Sequence, residues 1–377
     1  MLHHRPAETS LIHLTCRKLR RHMLRFITVY QKHHVMSKPV IFYFVHAHGN
    51  GHQATFSMLY PELSVFFKVI AITTNTTITN RLKNTYQVQV IELPPKYPAN
   101  YEIPEHTFSK AFEVTPYVQE AAKRAKSMAD AILQHKPKAF YCDGVPELAI
   151  LVRGMGVPVV LVHLPGNISN DQTQVFAHEL ADHIIAHFPF ILEQPDYKYS
   201  TKTFYSGYIS RYDCSKFNQN TSANIHQVSI LLGYDNWDQA IVKKMTQDPD
   251  IRFTIIGNKQ RYDLGKNCNQ LGMVKDISQA ITGDLVISAA GQNTVAELLS
   301  MNKRLILLPE VRPYEEQEVH ARMLSDQKIA LLGEENFNAE QWQMLLQRAK
   351  AFTPPYKNLV NITAAADVAQ KMQEWYG

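Results

Sequence analysis

The stretch DLVISAAGQNTVAELLSMNKRLILLPEVRPYEEQEVHA, residues 284–321, decides the fold. An apolar run, DLVISAA, breaks at Gly291 and gives way to a helical pattern over Thr294–Met301. A second apolar run, RLILLP, ends at Pro309 and leads into a second helical pattern over Glu315–Gln327. Short aliphatic runs that alternate with helical periods mark βαβ units and parallel sheets, whose strands are covered on both faces and need no polar alternation.

The alternation continues in both directions. Upstream in the same series are SILLGY from about Val228, a helix from Trp237, RFTIIGN, and a short strand read over LGMV at 271–274. Earlier still, strands are expected at Pro39–Ala47, Val69–Thr74, Val88–Leu93, Ala139–Cys142, Val157–His163 and His183–Ala186. The longest helix between them is expected over Lys110–His135, and the four-proline stretch Pro94–Pro104 is a loop. Ser210–His226 is polar, rich in Asn and Ser and without a period, as befits a linker. The expected fold is α/β, with two doubly wound Rossmann-like domains facing across a cleft. The divisions are a leader at 1–37, a first domain at 38–209, a linker at 210–226, a second domain at 227–361 and a terminal helix at 362–377.

Composition narrows the function. The chain has 377 residues, 45% of them hydrophobic and 19% charged, enough to bury two cores and too few charges for a disordered chain. Its four cysteines, Cys16, Cys142, Cys214 and Cys268, are widely spaced and suggest neither a disulfide framework nor a thiolate zinc site. Residues 1–38 carry eight basic side chains against one acid, so a net +7 there and +5 overall leaves −2 for the body. That distribution excludes nucleic-acid binding by general basicity. The leader is either an extension preceding a functional start at Met36 or, around Leu19–Tyr30, a basic amphipathic helix touching an anionic membrane. A cytoplasmic location, peripheral to a membrane in the second case, is expected.

Two constellations lie where strands give way to helices. The first strand runs into His46-Ala47-His48-Gly49-Asn50-Gly51-His52. Gly49, Asn50 and Gly51 form a turn that either exposes backbone N–H groups to an acceptor or serves only the chain reversal. His52, with an ordinary pKa near 6.5, suits proton removal from a hydroxyl at neutral pH. Asp143, at the end of strand AFYC, either orients that imidazole or stabilises the following helix as an N-terminal acid. In the second constellation, Gly291-Gln292-Asn293-Thr294 opens a helix as a phosphate cradle does, Glu297 follows a turn later, and Glu316 and Gln317 open the next helix.

The quoted stretch resembles the carboxyl-terminal donor domain of GT-B glycosyltransferases, above all the family 28 group. HGNGH at 48–52 resembles that group's amino-terminal glycine-histidine loop, and SGYISRYD at 206–213 its domain junction. The resemblance implies transfer of a sugar from a nucleotide diphosphate sugar, a UDP-sugar, to a hydroxyl with inversion. Alternatives on the same fold are a UDP-sugar epimerase and a non-catalytic nucleotide-sugar-binding subunit. It further implies that Gly291, Gln292, Asn293 and Thr294 meet the diphosphate with Arg211 adding charge, that Glu297 binds ribose, and that Glu316 and Gln317 hold the donor sugar. Gly233 is the remaining glycine of the first turn of the second half, which lacks the pattern's second glycine. His52 then acts as base or acceptor-positioning group, with Asp143 behind it. No metal and no cofactor beyond the UDP-sugar co-substrate is expected: the one Asp-x-Asp, Asp248-Pro249-Asp250, falls between a helix and the next strand. The acceptor is a lipid-linked, glycan or small-molecule hydroxyl, and the terminal helix crosses back to the first domain.

Overall fold

A computed structural model describes residues 37–47, 51–102, 107–217, 225–233, 237–257, 261–353 and 359–377. The leader up to residue 36, and Gly49 and Asn50 of the glycine-histidine loop, lie outside the described residues. The apolar runs of the first half form seven parallel strands: β1 (Val40–Phe44), β2 (Lys68–Thr73), β3 (Gln89–Glu92), β4 (Ala139–Cys142), β5 (Val159–His163), β6 (His183–Ala186) and β7 (Thr203–Tyr205), ordered β3-β2-β1-β4-β5-β6-β7. The second half repeats the plan with β8 (Gln227–Leu231), β9 (Arg252–Ile256), β10 (Cys268–Leu271), β11 (Leu285–Ser288), β12 (Arg304–Leu307) and β13 (Leu331–Leu332), ordered β10-β9-β8-β11-β12-β13 and parallel throughout.

The connecting helices of the first half are α1 (Gly51–Phe66), α2 (Thr76–Tyr86), α3 (Gln119–His135), α4 (Pro146–Gly154) and α5 (Gln172–Leu180). In the second half they are α6 (Gln239–Met245), α7 (Ile277–Ala280), α8 (Gln292–Ser300), α9 (Glu316–Asp326), α10 (Ala339–Ala351) and α11 (Ala364–Tyr376). Because helices cover both faces of a sheet, consecutive strand residues are all buried. In β1, Ile41 and Tyr43 join one apolar cluster while Phe42 and Phe44 join the opposite one. Among the described residues, no helix is long and apolar enough to cross a membrane.

Two expectations change. The long helix begins at Gln119, not Lys110, and its first-turn acid is Glu120. Phe112 adopts a left-handed φ of 64°, Pro116 disfavours a helical Thr115, and the Phe112 N–H donates to Thr173 Oγ1 at 2.7 Å, tying the segment to α5. The strand read over LGMV lies three residues earlier, at Cys268–Leu271, opposite Phe253–Ile256; past Ile256 its partner turns away at Gly257. Strands β7 and β13, of three and two residues, are too short to show a period and were not anticipated.

The last helix belongs to the first half's core. Ala364, Val368 and Met372, one turn apart, are buried with Phe56, Leu59 and Leu63 of α1, and the Trp375 ring stacks on His183 at 3.9 Å. A further cluster spans both halves, joining Phe188, Leu192 and Tyr208 to Val295 and Leu299 of α8 and Leu324 of α9.

Candidate active site

Strand order places the first two candidate residues. In the first sheet the direction of winding reverses between β1 and β4, so the chain leaving each strand turns to opposite faces and a crevice opens between them. Phe44 and Cys142 pair in register at this point, and His52 and Asp143 follow those two strands. The His52 Nδ1–H donates to Asp143 Oδ2 at 2.8 Å, which leaves Nε2 of the ring as an acceptor. Burial works against a charged His52, yet the charge and hydrogen bond of Asp143, with Glu316 beyond, prevail and raise its pKa above the ordinary 6.5. Asp143, 3% exposed, is penalised by burial, but His52, His187 and His46 hold its pKa below the usual carboxylate value. Gly144 adopts φ +82°, and a side chain there would stand 3.3 Å from the His52 ring, so backbone conformation and space both call for glycine.

The second sheet reverses between β8 and β11, and α8 begins just beyond β11. Its N-cap, Gly291, has no side chain to satisfy the first-turn N–H groups, which leaves them available to an anion. Gln317 joins the two neighbouring turns: its Oε1 accepts from Ala290 N–H at 3.1 Å and Glu310 N–H at 2.9 Å, leaving the Nε2 amide as its donor toward the cavity. Behind them His320 is fully buried, and burial lowers its pKa to about 4. A neutral ring that donates from Nδ1 to Ala290 O at 2.7 Å must accept at Nε2, where the Tyr208 hydroxyl meets it.

The two rims meet. Asn293, rather than capping α8, donates from Nδ2 to Gly51 O at 2.9 Å, and Gln292 Nε2 donates to His187 O at 2.9 Å. Tyr314 accepts from Asn167 N–H at 2.7 Å through its carbonyl and donates from its hydroxyl to Asp171 Oδ2 at 2.9 Å. Tyr314 and Glu315 both lie in the left-handed region, with φ of 63° and 53°. Between the rims is a cavity of about 220 Å³ bordered by His52, Asp143, Arg312, Glu316, Gln317 and the first turn of α8, Thr294 included. Ligand pockets usually measure ~300–1,000 Å³.

Other candidates fall elsewhere. Glu297 does not border the cavity; it forms a double contact with Arg211, Nε–Oε1 at 2.8 Å and Nη2–Oε2 at 3.1 Å. Burial raises the Glu297 pKa and Arg211 opposes that rise. Gly233 is absent from the cavity wall, and the space above its α-carbon is filled by the Glu310 carboxylate. Burial likewise raises the pKa of Glu316, against the pull of His52 and Arg312. Asp248 and Asp250 form the turn between α6 and β9, with Asp250 N–H donating to Asp248 Oδ1 at 3.0 Å. Gly144, His187, Arg312, Tyr314 and His320 were not singled out from sequence. Arg312, Tyr314 and His320 sit inside the deciding stretch, but only the tertiary arrangement gives them a place.

Two parallel doubly wound halves with a cleft at their reversal points define the GT-B class. Residues 213–350 match the profile of the Glycosyltransferase family 28 C-terminal domain. Among solved structures, the chain is similar to MurG of Acinetobacter baumannii (16% identity, TM-score 0.64, covering 89% of this chain and 100% of that one) and to the glycotransferase of kitacinnamycin (12%, 0.66, 91% and 100%). It is also similar to the spinosyn rhamnosyltransferase SpnG complexed with thymidine diphosphate (14%, 0.57, 90% and 96%). No curated protein sequence matches. The second half thus carries a match to the family 28 C-terminal domain, and the chain as a whole has the GT-B fold of those solved structures.

Proposed function

We propose that this protein transfers a sugar from a nucleotide diphosphate donor, a UDP-sugar, to an acceptor hydroxyl, with inversion and without a metal. The observation that carries the reading is the His52–Asp143 pair, held at 2.8 Å across a cavity from the uncapped start of α8. In this reading the acceptor O–H gives its proton to His52 Nε2, and the oxygen forms a bond to the anomeric carbon from the face opposite the diphosphate. The carbon–oxygen bond to the β-phosphate breaks, and its electron pair leaves with the nucleotide. Asp143 holds the imidazole tautomer and stabilises the imidazolium. The N–H groups after Gly291, with Thr294, take the departing diphosphate, Glu297 steadied by Arg211 takes the ribose, and Glu316 with the Gln317 amide takes sugar hydroxyls. The acceptor is a lipid-linked, glycan or small-molecule hydroxyl, met on the His52 side.

The test is a donor screen. Purified protein is incubated with UDP-glucose, UDP-N-acetylglucosamine, UDP-galactose and the corresponding thymidine and guanosine diphosphate sugars, and nucleotide release and binding are measured. Binding and slow hydrolysis of at least one donor are expected. No binding of any at millimolar concentration rejects the proposal.

A further inference from the structure

The cavity has an uneven charge inventory. Asp143 and Glu316 border it, and Arg312 is the one Lys or Arg among the described residues lining it. Arg211, the cation expected for the donor phosphates, stands away from this wall, 47% exposed and committed to Glu297. The space beside Gly233 is also taken. A single carbon added at Gly233 would lie 1.9 Å from Glu310 Oε1, so the carboxylate already occupies the space beside this glycine. Glu310 is 6% exposed; its Oε2 pairs with Arg312 Nη2, and its Oε1 has no hydrogen-bond partner. A buried carboxylate oxygen left unsatisfied is costly, and the Arg312 charge offsets that cost. The backbone N–H of the same Glu310 shares Gln317 Oε1 with the Ala290 N–H, so this ion pair lies alongside the turn that starts α8.

Resting on the reading above, we propose that Arg312 is the phosphate-binding cation of this protein, held in reserve by Glu310 and passed to the donor's diphosphate when the nucleotide sugar enters. The guanidinium fork suits two phosphate oxygens. Its transfer places a positive charge where negative charge builds up as the carbon–oxygen bond breaks, beside the N–H groups of α8. Glu310 competes with phosphate for the same guanidinium and thereby limits how tightly the spent nucleoside diphosphate is held.

Calorimetry on the full chain tests this, using whichever of UDP, TDP and GDP the wild type binds, together with the matching nucleoside. Arg312→Met is expected to weaken the diphosphate about 10- to 100-fold while leaving nucleoside affinity unchanged, as loss of a charge-assisted contact to phosphate requires. Arg312→Lys is expected to restore part of the loss, and Glu310→Gln to tighten the diphosphate several-fold. An Arg312→Met protein that melts like wild type with a wild-type ratio of diphosphate to nucleoside affinity, or, should that variant not fold, a Glu310→Gln protein of unaltered diphosphate affinity, overturns the proposal. Wild type that binds none of the three nucleotides defeats the donor reading itself, whereas wild-type binding with unchanged variants defeats only the role of Arg312.

Discussion

At the scale of single residues, His52 carries the sharpest expectations. If it removes the acceptor proton, His52→Ala slows turnover by roughly 100- to 10,000-fold with donor affinity kept, measured by initial rates and calorimetry. The pH profile follows from its environment. A base must be neutral, and Asp143 raises the His52 pKa, so kcat/KM falls as pH drops below a value higher than 6.5. Asp143→Asn removes the raising charge, and the acid limb is expected to move to lower pH while the maximal rate falls. Gly144→Ala tests the geometry: at φ +82° a β-carbon costs ~1–2 kcal/mol and crowds His52, so both melting temperature and rate should drop. His52 and Asp143 were legible because strand ends and residue types could be read directly. Gly144 was passed over because its sign of φ is not written in a sequence without a turn pattern.

At the scale of elements, strands buried on both faces were the most legible, since unbroken apolar runs have one stable use. Less legible was anything set by distant partners. Helix α3 starts nine residues later than its period suggests because Pro116 and the Thr173 contact bind the preceding segment, and α8 sends Asn293 to Gly51 instead of capping itself. The terminal helix α11 bears the most weight. With Val368 and Met372 fully buried against α1, Met372→Ala should cost about 2–5 kcal/mol in denaturant unfolding. An unfolding free energy within 0.5 kcal/mol of wild type, the span of ordinary surface changes, would show that α11 does not pack there.

At the scale of the molecule, the function depends on how the halves meet. Their reversal points face one another, and Asn293, Gln292 and Tyr314 bridge them. Asn293→Ala, which removes the bond to Gly51 O, is expected to raise the share of donor lost to water relative to transfer, because closure excludes solvent from the reacting centre. Tracking hydrolysis and transfer together checks this; an unchanged ratio would leave Asn293 without a part in closure. The sequence indicated two halves and a cleft, but the bridging contacts pair residues more than 100 positions apart and leave no local trace.

The consecutive left-handed residues Tyr314 and Glu315 act as a cocked spring at the rim of the cleft. Each such residue stores ~1–2 kcal/mol, and here Asn167 and Asp171 of the opposite half hold the spring down. Because both catches come from across the cleft, the strained bend ties the local backbone to contact between the halves.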